Sequence, residues 1–169
     1  MRTAEVAIVV RRGDRFLVVH RAPTGGAYWH LIAGGIEAGE DAREAAAREL
    51  AEETGLAARV VPLQKATYVP TADDRRQHEY ADAIEVAAFL ADAPADWEPT
   101  LDHEHDGYRW CTAAEAQELL FWPEPRAAVA LAAGIADVVW IGGSTCAGKT
   151  SVAQQLAARH GRTDRKSVV

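Results

Sequence analysis

The stretch GGIEAGEDAREAAARELAEETGL, Gly34–Leu56, decides how the rest of the chain is read. Its opening glycines break any preceding strand. Asp41 to Thr54 then contain no glycine or proline and are rich in Ala, Glu and Arg, which predicts a helix, with Gly55 placed for a left-handed C-terminal cap. Glu49, Glu52 and Glu53 are three and four residues apart, so at about 100° per residue they share one helix face. Ala46, Ala47, Leu50 and Ala51 occupy the other side and can pack on a sheet. Like charges at this spacing cost a few tenths of a kcal/mol per pair (roughly) on an isolated helix, and more when partly buried. Such a cluster invites a cation, and carboxylate oxygens are hard ligands suited to Mg²⁺ or Mn²⁺. The alternative is a solvated acidic face in which Arg48 pairs with Glu44 and Glu52.

Working outward, Glu5 to Val10 and Arg15 to His20 are apolar, β-branched runs joined by Arg12-Gly13-Asp14, which predicts an antiparallel hairpin. A Pro and Gly loop at Pro23 to Gly26 precedes an expected strand from Tyr28 to Ala33. Beyond the helix, Val60 to Val69, interrupted by Pro62, and Tyr80 to Leu90 read as strands flanking a polar loop from Pro70 to Gln77. Thr112-Ala113-Ala114-Glu115 is a capping box opening a helix to about Leu120, and Pro125 can start another that runs to Ala133. Strands on both sides of the helix make the sheet mixed and close one domain over residues 1–136.

The spacing in the opening stretch carries a family resemblance. Gly34, five residues, Glu40, seven residues, Arg48-Glu49-Leu50, one residue, Glu52-Glu53, one residue and Gly55-Leu56 reproduce the Nudix box. At about 7% or less per fixed identity, such a match arises by chance far less than about once in a million. The chain resembles the Nudix hydrolases over about its first 133 residues. The resemblance implies an α/β fold, an α/β/α sandwich with a mixed sheet, and hydrolysis of a diphosphate linkage in a nucleotide-type substrate. It implies that Glu49, Glu52 and Glu53 are the metal-binding and catalytic carboxylates, that the Ala33 carbonyl is a further ligand, and that Gly34, Glu40, Arg48 and Gly55 are structural. Many relatives carry Pro where this chain has Ala33, but a carbonyl ligand needs no particular side chain. Glu49 is the leading general base, and Glu104 is the expected carboxylate outside the box, with Glu79 second. His103 and His105 lack a third ligand at metal spacing and are assigned no metal.

Substrate clues are coarser. The run from Leu101 to Trp110, the capped helix and Trp122-Pro123 resemble the branch acting on nucleoside triphosphates, dihydroneopterin triphosphate or dinucleoside polyphosphates. Tyr28, Trp29, Tyr68 and Tyr80 are candidates to stack on a base. A formal charge of −7, from 18 Lys and Arg against 25 Asp and Glu, argues against broad binding to nucleic acid or anionic membrane, so cations must mediate phosphate binding. Cys111 and Cys146 show no paired spacing, which with the lack of a secretory or spanning segment fits a cytoplasmic protein.

A second phosphate motif stands at the C-terminal end. Gly143-Ser144-Thr145-Cys146-Ala147-Gly148-Lys149-Thr150 matches a P-loop between an apolar run, Val138 to Ile141, and an expected helix from Lys149 to His160. Its amides would cradle phosphates, Lys149 would reach the terminal ones and Thr150 would ligand Mg²⁺. Only 8 residues follow Gly161, so residues 137–169 read as the truncated opening of a P-loop phosphotransferase. The competing functions are thus phosphotransfer through Lys149, or a nucleotide-sensing module.

Overall fold

The computed structural model describes residues 2–23, 26–72, 75 and 80–134. These belong to the first of the two units into which the chain divides, Met1–Ile135 and Ala136–Val169. The expected P-loop, with Gly143, Gly148, Lys149 and Thr150 and its flanking strand and helix, lies outside the described residues.

The elements are β1 (Arg2–Arg12), β2 (Arg15–Arg21), β3 (Trp29–His30), β4 (Ile32–Gly35), α1 (Ala42–Thr54), β5 (Val60–Tyr68), β6 (Tyr80–Asp92), β7 (His105–Cys111), α2 (Ala113–Leu119) and α3 (Pro123–Gly134). β1 is the axis, flanked by β6 in parallel and by β4 antiparallel. A strand covered on both faces reads as a continuous apolar run, with successive side chains entering opposite layers. Val6, Ile8 and Val10 accordingly pack with Ala45, Ala46 and Leu50 of α1. Val9 packs with Leu31, Leu90, Ala116, Leu120 and Val129 on the side of α2 and α3. The result is the expected α/β/α sandwich on a mixed sheet.

The β1–β2 hairpin pairs Arg12 with Arg15, and Gly13 supplies the positive φ, 61°, of the tight turn between them. β2 then carries β3 and β7 as a second antiparallel group. Tyr28 to Ala33, expected as one strand, is divided: β3 pairs with β2 and β4 with β1. β7 was not anticipated, because only His105 and Cys111 along it are buried and the exposed residues between them hide the apolar alternation. α3 begins at Pro123 rather than Pro125. The β5–β6 ladder shifts register between Pro62 and Gln64, where proline offers no N–H.

α1 starts where its caps dictate. Asp41 accepts from the Arg43 and Glu44 amides, Glu44 returns the bond to the Asp41 amide at 2.8 Å, and Gly55 ends the helix at φ 75°. Leu50 is fully buried against the sheet, which fixes the rotation of the helix and so the direction of its carboxylate face. Among the described residues no helix is long and apolar enough to cross a membrane.

Candidate active site

Arg48 joins the loop before α1 to the helix itself. Its Nη2 and Nε donate to the two Glu40 oxygens at 2.7 and 3.2 Å, and Nη2 donates to the Gly35 carbonyl at 2.9 Å. Nη1 donates to Glu49 Oε1 at 2.8 Å and Glu52 Oε2 at 3.1 Å. Glu40 also accepts from the Glu37 amide at 2.6 Å, closing the loop on itself. Arg48 therefore pairs with Glu52 as one reading of the sequence expected, but not with Glu44, which the capping box holds. Bonding to Glu40 raises the Arg48 pKa, and the same bond lowers that of Glu40.

Gly34 has a steric reason to be glycine: a Cβ there would lie 2.0 Å from the Glu49 carboxyl carbon and Oε1. The Glu49 side chain lies directly against the backbone of β4. Glu49 is half-buried, and burial raises its pKa against the opposing pull of Arg48.

Glu53 faces inward and is only 4% exposed. Its Oε2 is buried with no hydrogen-bond partner. Burial, then the neighbouring charges of Glu49 and Asp102, push its pKa up to about 9; Arg21 opposes and Glu104 adds to the rise. Glu104 Oε2 meets Arg21 Nη2 at 2.8 Å, and its carbonyl accepts from the Ala22 amide at 2.8 Å, tying the loop before β7 to the end of β2.

Behind these carboxylates lies a polar chain that the sequence did not reveal. Asp102 Oδ1 accepts from the Glu104 amide at 3.1 Å and from His105 Nδ1 at 2.8 Å. With Nδ1 donating, His105 Nε2 is the acceptor for His30 Nε2–H at 3.0 Å, and it lies 3.8 Å from Glu53 Oε2. Burial, then His105, lower the His30 pKa to about 3, so His30 is neutral and able to donate. The signal available was faint: Asp102 lies three residues before His105, and His30 interrupts an apolar run.

The structure thus brings Glu49, Glu53 and Glu104 into one electrostatic neighbourhood. It leaves Glu52 on the outer side, 61% exposed and linked through Arg48. Ala33 precedes Gly34 on β4, opposite Ala7. Glu79 lies outside the described residues, and His103 is 91% exposed at 3.9 Å from Asp102. Among the described residues no three acidic, His or Cys side chains already form a tight metal cage, since Arg48 draws Glu49 and Glu52 to itself. The donor set nevertheless fits a hard divalent cation. A buried carboxyl oxygen without a donor, amid three further carboxylates, is costly to ionise, and a cation bound there would offset that cost.

Of the aromatic candidates, Tyr28 packs edge-on to Trp122 at 4.6 Å and to His30 at 5.4 Å. Trp29 lies against His20 at 4.9 Å with Arg109 over its ring, also at 4.9 Å. Tyr68 donates to Glu5 at 3.0 Å, and Arg2 lies over the Tyr80 ring at 5.7 Å.

An α/β/α sandwich presenting a loop-helix carboxylate face beside a second acidic loop defines a class of hydrolases acting on phosphorus anhydride bonds. The model of the NUDIX domain matches residues 1–132, and the chain belongs to that family. It is 36% identical over 110 residues to phosphatase NudJ of Escherichia coli K12, covering 65% of this chain and 68% of that protein. It is also 36% identical over 129 residues to an octanoyltransferase of Myxococcus xanthus, covering 71% of this chain. That match spans only 33% of the octanoyltransferase, about a third of its length. Among solved structures, the E. coli dihydroneopterin triphosphate pyrophosphohydrolase shares the fold with a TM-score of 0.67 at 23% identity, covering 76% of this chain and 92% of that one.

Proposed function

We propose that this chain is a Mg²⁺- or Mn²⁺-dependent pyrophosphohydrolase. It cleaves a diphosphate linkage in a nucleoside triphosphate, dihydroneopterin triphosphate or dinucleoside polyphosphate by water attack on phosphorus. The observation that carries this reading is Glu53, a buried carboxylate whose Oε2 has no donor and whose neighbours are Glu49, Asp102 and Glu104.

Glu49, Glu52, Glu53, Glu104 and the Ala33 carbonyl are the groups that would hold the cation. Bound there, a divalent cation supplies charge neutralisation and polarisation of the diphosphate. Glu49 acts as general base: burial makes it a better proton acceptor than an exposed carboxylate, and Arg48 holds one of its oxygens. Arg48 and Glu40 set the loop that follows Gly34, the glycine against which Glu49 lies. Asp102 braces the loop of Glu104 through the Glu104 amide and His105, and His105 in turn meets His30 of β3.

Residues 1–136 form the catalytic domain of a cytoplasmic enzyme, and the P-loop motif at residues 143–150 takes no part in the hydrolysis. The test is a screen of diphosphate-containing nucleotides with Mg²⁺ in ¹⁸O-labelled water. The reading expects Mg²⁺-dependent cleavage with one ¹⁸O in one phosphate product. Absence of cleavage across all three substrate groups would contradict it.

A further inference from the structure

The carboxylates of the proposed cation site come from segments far apart in the chain, Glu49, Glu52 and Glu53 from α1 and Glu104 from the loop before β7. Carboxylates on separate segments serve one cation only if their backbones are held together, because a metal site tolerates little misplacement of its ligands. Asp102 is bonded to both segments. Its amide donates to the Glu53 carbonyl at 3.3 Å, one of the carbonyls that the end of α1 leaves without a partner inside the helix. The Thr100 amide does the same for the Thr54 carbonyl at 2.9 Å. The side chain of Asp102 engages the other segment, its Oδ1 accepting from the Glu104 amide at 3.1 Å. Two hydrogen bonds through one residue thus join the main chain of Glu53 to that of Glu104.

Asp102 is itself braced. Its Oδ1 also accepts from His105 Nδ1 at 2.8 Å, the His105 side chain is fully buried, and His105 Nε2 meets His30 Nε2 of β3 at 3.0 Å. An irregularity in β7 makes this brace possible. His20 of β2 pairs with Gly107 but Arg21 pairs with His105, so Asp106 is left as an extra residue. A regular ladder would put Asp106 opposite Arg21. Instead His105 takes that place, 3.8 Å from Glu53 Oε2, and Asp106 bonds His20 at 2.6 Å. The charge of Asp102 is a burden here, being among those that raise the Glu53 pKa. What the site gains from Asp102 is an acceptor in the right place.

We infer that Asp102 is a positioning residue of the carboxylate site: with its amide on Glu53 and its Oδ1 on the Glu104 amide, it sets the placement of the two segments whose carboxylates share a divalent cation. This rests on the reading of Glu53 and Glu104 as cation ligands, and it is tested without turnover. In the full chain, calorimetric titration with Mn²⁺ alone should show Asp102→Ala binding at least about tenfold more weakly than wild type, the scale for removing a group that orients metal ligands. Asp102→Asn loses the charge but keeps an oxygen able to accept both bonds, and should stay within about threefold of wild type. Asp102→Glu keeps the charge and moves the acceptor by a methylene, and should lose affinity as Asp102→Ala does. In a Glu104→Gln background Asp102→Ala should have little further effect, since both changes act on one contact. Circular dichroism and thermal melts in EDTA check that each variant folds. Wild-type Mn²⁺ affinity in Asp102→Ala would overturn the assignment. So would an equal loss in Asp102→Asn, by showing that Asp102 acts through its charge. Wild-type affinity in both Glu53→Gln and Glu104→Gln would instead remove the cation reading, and the assignment with it.

Discussion

Glu53→Gln keeps the shape of the buried side chain and removes its titration, which makes the energetic position of Glu53 measurable without any substrate. Burial among other carboxylates holds this group near a pKa of about 9, against an ordinary value of 4.5. A carboxyl whose pKa rises on folding binds its proton more tightly in the folded chain. Its contribution to stability is therefore fully present below about 4.5 and is lost as pH rises towards about 9. At about 1.4 kcal/mol per unit, the interval from pH 5 to pH 7 accounts for about 2.5 kcal/mol. Glutamine does not titrate, so groups that do not interact with Glu53 cancel in the comparison. In EDTA, the thermal midpoint of wild type relative to Glu53→Gln should fall by about 8 °C between pH 5 and pH 7 for a domain of this size. Millimolar Mg²⁺ should recover the wild-type midpoint at pH 7 and leave Glu53→Gln nearly unmoved, since a cation stabilises only the state that binds it. A difference between the two proteins that stays constant from pH 5 to pH 7 would refute the reasoning.

Gly34→Ala would drive a methyl into the Glu49 carboxyl, whose atoms lie 2.0 Å from the Cβ position. Turnover should drop by at least about tenfold, from displacement of the general base, while circular dichroism stays native; wild-type kcat would show that Glu49 works from elsewhere. Glu104→Gln should impair turnover more than Glu79→Gln, because Glu104 is among the charges raising the Glu53 pKa; steady-state kinetics giving the reverse ranking would move the extra carboxylate to Glu79. Lys149→Ala should keep the hydrolysis rate within about twofold, equivalent to roughly 0.4 kcal/mol, and a deletion ending at Gly134 should retain activity. A loss in Lys149→Ala with folding intact would make the P-loop segment part of the site.

What the sequence made legible was what depends on local spacing. The box from Gly34 to Leu56, the Gly55 cap of α1 and the Thr112–Glu115 capping box are all contained within a few turns of chain, and each appears where expected. The mixed sheet followed from strands on both sides of α1, and the sandwich from the family resemblance. Contacts between distant segments were not legible. His30 and His105 are 75 residues apart and meet only because β3 and β7 both pair with β2. Glu44 stood at helical spacing from Arg48, but its bond to the Asp41 amide took precedence.

The central claim is that the buried carboxylate of α1 drives metal-assisted diphosphate hydrolysis, and the direct measurement is turnover of Glu53→Gln at saturating Mg²⁺ on the substrate found in the screen. A fall of at least about 100-fold, with circular dichroism unchanged, is the predicted result. Turnover close to wild type would contradict it.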